Sequence, residues 1–250
     1  MSTICRDLPQ SMQEKGVEVR SFMPKYGAIN ERRNQLHEVI RLSGLNIIID
    51  DTDHPLVIKV ATLMPSRMQV YFIYNEDYLA HTPVHEFETV TSPDDNDERM
   101  IFYIRGVIET VCKLRWNPAI IQCNGWISAL APLLMRKCYN DDPTFSDAKI
   151  VIGLFEETLT APLDIRLADK LVEAGVPQHV LKNIIGKQAT ELDLMQFALD
   201  NCDAIMQCGD NVSPELMAMA VATGKPLLRY ESSEQLIAAT PDFYQSLLDA

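Results

Sequence analysis

Short apolar runs that alternate with helix-period stretches constrain this chain more than any other feature. Residues 17–23, 119–123, 149–154, 204–208 and 226–230 read as strands. Helical repeats stand between or after them: Ile101, Ile104, Ile108 and Val111, then residues 126–138, 163–174, 192–199, 214–222 and 241–248. Parallel neighbours need a crossover between them, and such a crossover lays a helix on the sheet face. The order therefore predicts an α/β fold, a doubly wound, mostly parallel, Rossmann-like sheet with helices on both faces.

A different rhythm interrupts this pattern near the start. A first helix about Leu8 and Met12 stops at Gly16. Residues 37–40, 45–49, 56–63 and 68–74 then look like strands, with turns at Ser43-Gly44 and Pro65-Ser66. They predict an antiparallel β extension over about residues 36–75. The polar segment 78–97, with Pro83 and Pro93, reads as an exposed loop. No Pro/Gly/Ser-rich linker divides the chain, so residues 1–250 read as one domain.

Charge and composition exclude several classes. The formal charge of −13 argues against nucleic acid, which needs a basic surface. No apolar run approaches the ~18 residues of a membrane span, and the N-terminus lacks a signal-peptide pattern. Together these predict a cytoplasmic protein with no membrane partner. None of the six cysteines forms a CxxC pair, so they read as reduced core thiols. His81 and His85 have Pro83 between them and do not share a regular helix face, which argues against a metal pair. No nucleophile triad, phosphate-binding glycine loop or zinc spacing stands out, and no cofactor is expected.

One junction draws the functional reading. Residues 120–134 read IIQCNGWISALAPLL, an apolar strand ending in Asn124-Gly125 and passing into a helix that opens at Trp126. Strand-to-helix joins of this kind are where open α/β sheets hold ligands. Asn124 offers both a donor and an acceptor to a ligand but cannot carry a proton near neutral pH. The alternative is structural: Asn-Gly serves as a turn and cap, and Trp126 fills the core. Lys25 and Tyr26 follow the end of the first strand in the same manner. Arg99 has a partner four residues back in Asp95, and Ser213-Pro214 reads as a helix N-cap.

Specific residues carry a family resemblance. Leu8-Pro9, then Gly16-Val17-Glu18-Val19-Arg20, then Met23-Pro24-Lys25-Tyr26-Gly27 resemble "LP … GHEVRVLLPRYG". Val70-Tyr71-Phe72-Ile73 resembles the strand before a "YF" loop. Asp95-Asn96 with Arg99 and Phe102 resembles "DNxxRFxxF". Residues 120–126 with Ala129-Leu130-Ala131-Pro132 resemble "VIHCHDWHTALAP", and Asn211-Val212-Ser213-Pro214 loosely resembles "TVSP". These motifs are those of the N-terminal domain of bacterial glycogen and starch synthases, and the likeness is to a short, single-domain variety. The resemblance is good to about residue 155 and thinner beyond.

The resemblance implies the N-terminal half of a GT-B glucosyltransferase that extends α-1,4-glucan with ADP-glucose as donor. It implies a substrate-binding role for Lys25, Tyr26, Gly125 and Trp126. It places Asn124 where the family has a catalytic His, and Gly125 where it has Asp. In that family a second domain binds most of the donor, so residues 1–250 alone are expected not to transfer glucose. The "KTGGL" motif would end at Met1, which leads us to expect roughly 20 further residues upstream, one strand and its loop. The alternative function is a non-catalytic module that binds glucan or maltooligosaccharide, acting with a protein partner or a second copy.

Overall fold

The computed structural model describes residues 2–64, 66–80, 94–156 and 159–250. Helix α1 (Ser2–Glu14) leads into β1 (Arg20–Pro24), β2 (His37–Glu38), β3 (Leu45–Ile49), β4 (Thr52–Leu63) and β5 (Met68–Tyr74). A π-helical turn (Glu76–Ala80) follows. Then come α2 (Asn96–Leu114), β6 (Ile120–Asn124), a 3-10 turn (Trp126–Ser128), α3 (Ala131–Cys138) and β7 (Lys149–Leu154). The chain closes with α4 (Leu167–Glu173), a 3-10 turn (Gln178–Val180), α5 (Glu191–Asn201), β8 (Ala204–Gln207), α6 (Pro214–Ala222), β9 (Leu227–Leu228) and α7 (Ser233–Leu248). The residues 81–93, which include His81 and His85 and most of the expected loop, lie outside the described residues.

The periodicities act as expected. Ile4, Leu8 and Met12 repeat every four residues on α1 and are buried. Met100, Ile101, Ile104, Ile108 and Val111 form the buried stripe of α2, which ends where Arg115 takes a left-handed φ of 50° and donates its N–H to Cys112 O. Strands β6, β7, β8 and β9 are parallel and lie in chain order, with Asn124 opposite Gly153. The β-rich insertion is antiparallel about β4, which pairs with β2, β3 and β5.

The first strand departs from the single sheet the sequence predicts. β1 runs parallel to β5, from Arg20 opposite Gln69 to Pro24 opposite Ile73, and so belongs to the mixed sheet. Long-range packing selects this partner. Phe22 stacks on Tyr71 with ring centroids 5.2 Å apart, and the Tyr103 hydroxyl of α2 donates to Phe22 O at 3.0 Å. Among the described residues no ladder joins β1 to β6, so two sheets stand where one was expected.

Helices bridge the two sheets. On one face, α2 gathers Tyr71 and Ile73 of the mixed sheet and Cys123, Ile150 and Ile152 of the parallel sheet into one core. Gly106 sets the closeness of that contact: a Cβ there would come within 2.9 Å of Ile73 Cγ2 and 3.0 Å of Leu56 Cδ1. On the other face, α1 and α7 cover Val151, Ala204 and Met206, with Val19 and Ile120 at the margin. The parallel sheet is thus wound on both faces.

Among the boundaries that moved are two helix starts. α4 starts at Leu167, because Leu163 is buried with its N–H on Ala189 O and Asp164 folds a turn onto the Arg166 N–H. α7 starts at Ser233, with Ser232 capping the Gln235 N–H and Pro241 inside the helix. The sequence pattern predicts a helix opening at Pro241, since the first helical position is where proline is most at home.

Candidate functional site at the strand ends

The C-terminal edge of the parallel sheet carries the predicted cluster. β6 ends at Asn124, and Gly125 turns the chain with φ 73° and ψ 173°, a backbone state that favours glycine. The expected helix from Trp126 is instead a 3-10 turn followed by α3. Ser128 Oγ holds the turn by donating to Asn124 O at 2.9 Å. Asn124 makes no side-chain cap bond there.

Its side chain is oriented from behind. Burial pushes the Tyr244 phenol well above its usual range, so it stays protonated and donates to Gln122 Oε1. That fixes the Gln122 amide, whose Nε2 donates to Asn124 Oδ1 at 3.0 Å. The Asn124 amide group is therefore turned with its oxygen inward. Its Nδ2 has no hydrogen-bond partner among the described residues. This group can donate to a hydroxyl or carbonyl oxygen. It cannot relay a proton. Gly153 makes room for it: a Cβ at that position would lie 2.4 Å from Asn124 Oδ1.

Trp126 is 5% exposed and belongs to the main core. Its place is that of a wall behind the Asn124-Gly125 turn. Lys25 and Tyr26 follow β1, where the Lys25 N–H donates to Ile73 O at 2.8 Å. Lys25 is buried, with its ammonium 3.1 Å from Glu31 Oε1 and 5.2 Å from the centre of the Tyr74 ring. Lys59 donates to the same Glu31 oxygen at 2.6 Å and also lies over Tyr74. Two cations hold the Glu31 carboxyl below its usual range; the Lys59 hydrogen bond is the larger cause, and partial burial opposes it. Tyr26 is half-buried against the main core.

Sequence reasoning missed Gln122, Gly153 and Tyr244 at this site, and also Glu156 and Asn211. Glu156 follows β7 and reaches across the end of β8, where Oε1 accepts from Asn211 Nδ2 at 3.3 Å. Gly153, Glu156 and Asn211 stand near or after strand ends, the one local signal available, whereas Gln122 lies within β6 and Tyr244 within α7. Ser213 is a cap, as read from the sequence: its Oγ accepts the Leu216 N–H. Arg99 pairs with Asp95, the partner four residues back, through two bonds at 2.7 and 3.1 Å. A separate cavity of about 240 Å³, lined by Lys137, Asn183, Gln196, Phe197 and Asn201 among others, lies at the opposite end of the parallel strands. Among the described residues no three His, Cys, Asp or Glu side chains converge as a metal site. No described helix is long and apolar enough to cross a membrane.

A doubly wound domain with polar groups gathered at the C-terminal edge of its parallel strands defines a Rossmann-like α/β unit. Residues 1–226 match the family described as starch synthase catalytic domain, and the chain belongs to that family. It is 40% identical over 254 residues to the glycogen synthase of Chlorobaculum tepidum, covering 92% of this chain and 50% of that protein. It is 34% identical over 200 residues to the glycogen synthase of Chlorobium luteolum, covering 79% of this chain and 40% of that protein. The chain thus spans about half the length, or less, of the curated relatives it matches. The fold is shared with the catalytic domain of starch synthase IV from Arabidopsis thaliana bound to ADP and acarbose, with a TM-score of 0.70 and 17% identity. That match covers 90% of this chain and 46% of that one.

Proposed function

We propose that residues 1–250 form the acceptor-side half of a glucosyltransferase that extends α-1,4-glucan from ADP-glucose. The Asn124-Gly125 turn lies against sugar in this reading. The Asn124 Nδ2 group, fixed from behind by Gln122 and Tyr244, carries it: a preorganised donor at a strand end suits a sugar hydroxyl. The starch synthase family membership and the relatives' name, glycogen synthase, support the substrate class. Lys25 and Tyr26 shape the neighbouring loop, and Trp126 backs the turn.

Glucosyl transfer needs the donor held against the acceptor and its leaving diphosphate neutralised. Among the described residues the strand-end cluster supplies the amide donor of Asn124 and the carboxylate of Glu156, and Lys25, at the end of β1, is already engaged by Glu31. A second domain or a partner must therefore hold the donor. A non-catalytic glucan-binding or regulatory role is the second reading. It is favoured by Asn124 itself, which cannot charge or relay a proton where the family resemblance places His.

The test uses the 250-residue protein with maltooligosaccharide, ADP-glucose and both. Glucan binding that weakens about tenfold in Asn124→Ala, with no glucose transfer, is expected. Transfer by this chain alone would refute the need for a second half. Loss of binding in Lys137→Ala but not in Asn124→Ala would move the site to the other end of the strands.

A further inference from the structure

The face of the mixed sheet that bears Val70 and Phe72 presents two lysines to one aromatic ring. Lys59 on β4 stands opposite Phe72 on β5, and Tyr74 follows Phe72 by two residues, so Lys59, Phe72 and Tyr74 share that face. Lys25 arrives there from the end of β1. Its ammonium lies 5.2 Å from the centre of the Tyr74 ring, and that of Lys59 lies 4.5 Å away. Residues 26–36 cross the same face, with Ile29 and Leu36 packed on the cluster that holds Val70 and Phe72.

Both ammonium groups converge on a single atom. Glu31 Oε1 lies 2.6 Å from Lys59 Nζ and 3.1 Å from Lys25 Nζ. Among the described residues no other carboxylate pairs with either lysine. The Lys25 and Lys59 side chains are 8% and 15% exposed, whereas that of Glu31 is 39% exposed. The cations therefore belong to the sheet, and the carboxylate is laid on them from the solvent side. Two positive charges meet one negative charge, and one oxygen serves two donors. A phosphate monoester answers both deficits: it carries about two negative charges at neutral pH and offers a separate oxygen to each ammonium. Lysine binds phosphate as a point charge and needs no planar fork. We infer that Lys25, Lys59 and Tyr74 form a binding site for a phosphate group, which Glu31 occupies as an internal stand-in that phosphate displaces.

Glu31 is placed to leave. Its loop is held by bonds of its own: Asn30 Oδ1 accepts the Arg33 N–H at 2.9 Å, and Glu31 O accepts the Leu36 N–H at 2.9 Å. The Glu31 side chain can swing outward without breaking either. The neighbouring charges are turned to solvent: Arg32 and Arg33 are exposed, and so is Glu38, which stands opposite Lys59 on β2. A tethered carboxylate competes with any free anion, so the observed affinity is the intrinsic affinity reduced by the fraction of molecules in which the site is open. The site shares no residue with the Gln122, Asn124 and Tyr244 group and does not rest on the glucan reading.

The test is a titration of the 250-residue protein with inorganic phosphate at constant ionic strength, followed by backbone amide shifts. It is run on the parent, on Glu31→Gln and on Glu31→Gln combined with Lys59→Met. Glu31→Gln keeps the side-chain shape and removes the competing charge, so it should bind phosphate about tenfold more tightly than the parent. The Lys25, Lys59 and Tyr74 amides should carry the shifts, and Lys59→Met should abolish the gain. If the double variant does not fold, the position of the shifts in Glu31→Gln decides. A second titration with glucose 1-phosphate identifies the source: binding tighter than that of inorganic phosphate assigns the site to a sugar phosphate, and equal or weaker binding assigns it to the free ion. Equal phosphate affinity in parent and Glu31→Gln, a gain that survives Lys59→Met, or shifts that leave Lys25, Lys59 and Tyr74 unmoved would overturn the proposal.

Discussion

Replacing Lys170 by Met tests how the two halves of the domain are held together. The Lys170 side chain is 5% exposed and that of Asp97 is 0% exposed, and their charged atoms meet at 2.6 Å. Removing the cation leaves Asp97 buried and uncompensated. Glu98, at 24% exposed, can rehydrate and matters less. Breaking a buried pair from one side costs about 3–5 kcal/mol. For a domain of this size each kcal/mol is worth roughly 2–4 °C, so the variant should melt about 6–20 °C lower at pH 7. The loss has a pH signature. Burial already raises the Asp97 carboxyl against the pull of Lys170, and without Lys170 the rise is larger. A carboxyl with a raised folded pKa costs stability above that pKa and ceases to cost it as pH falls through it. The deficit of Lys170→Met should therefore shrink on acidification. Adding Asp97→Asn should recover part of it at pH 7, a coupling that a double-mutant cycle reads directly. Thermal unfolding followed by circular dichroism supplies all three numbers. A Lys170→Met protein that melts within about 2 °C of the parent at pH 7 would show that the buried pair does not secure this junction.

Gly153→Ala should displace the Asn124 side chain, since the new Cβ would sit 2.4 Å from Oδ1, and should lower maltooligosaccharide affinity while far-UV circular dichroism stays unchanged. Trp126→Ala should cost about 3–5 kcal/mol in urea unfolding, because the ring is core. A variant of full stability that only loses glucan would instead place Trp126 in contact with ligand. Thr190→Ala should cost about 1 kcal/mol by removing the capping box of α5, in which Thr190 Oγ1 accepts the Asp193 N–H and Asp193 Oδ2 accepts the Thr190 N–H. Partial burial raises the Asp193 carboxyl, but the hydrogen bonds from Lys187 and Thr190 outweigh it and hold the group below its ordinary value. Its contribution is thus present above the ordinary aspartate range and lost as pH falls below about 4, which acid titration of parent and variant will compare.

Most elements of the fold were legible because they rest on local periodicity. The strands of the insertion were legible in order, but β4 begins at Thr52 rather than at residue 56, because Asp50 and Asp51 make the turn from β3 at positive φ, a place where the sequence has no Gly or Pro to announce it. Sheet membership was not legible for β1. Its alternation says only that one face is buried, and nothing within residues 17–23 encodes the Phe22–Tyr71 stack or the bond to Tyr103 that draws it to β5. The site shows the same division. Asn124 and Gly125 were visible as a strand end, a local feature. The groups that orient Asn124 come from the same strand at Gln122, from the next strand at Gly153 and from the last helix at Tyr244. Only the folded chain brings these together. Trp126 read equally well as a ligand platform or a core residue, because an aromatic side chain does both and burial is decided by the surrounding helices.

The most direct measurement is a map of backbone amide shifts on titrating the 250-residue protein with maltooligosaccharide. We expect the Asn124 and Gly125 amides to move first, and the movement to vanish in Asn124→Ala. Shifts confined to Lys137, Asn183 and Gln196 at the far end of the strands, or no shifts at saturating sugar, would contradict the strand-end site.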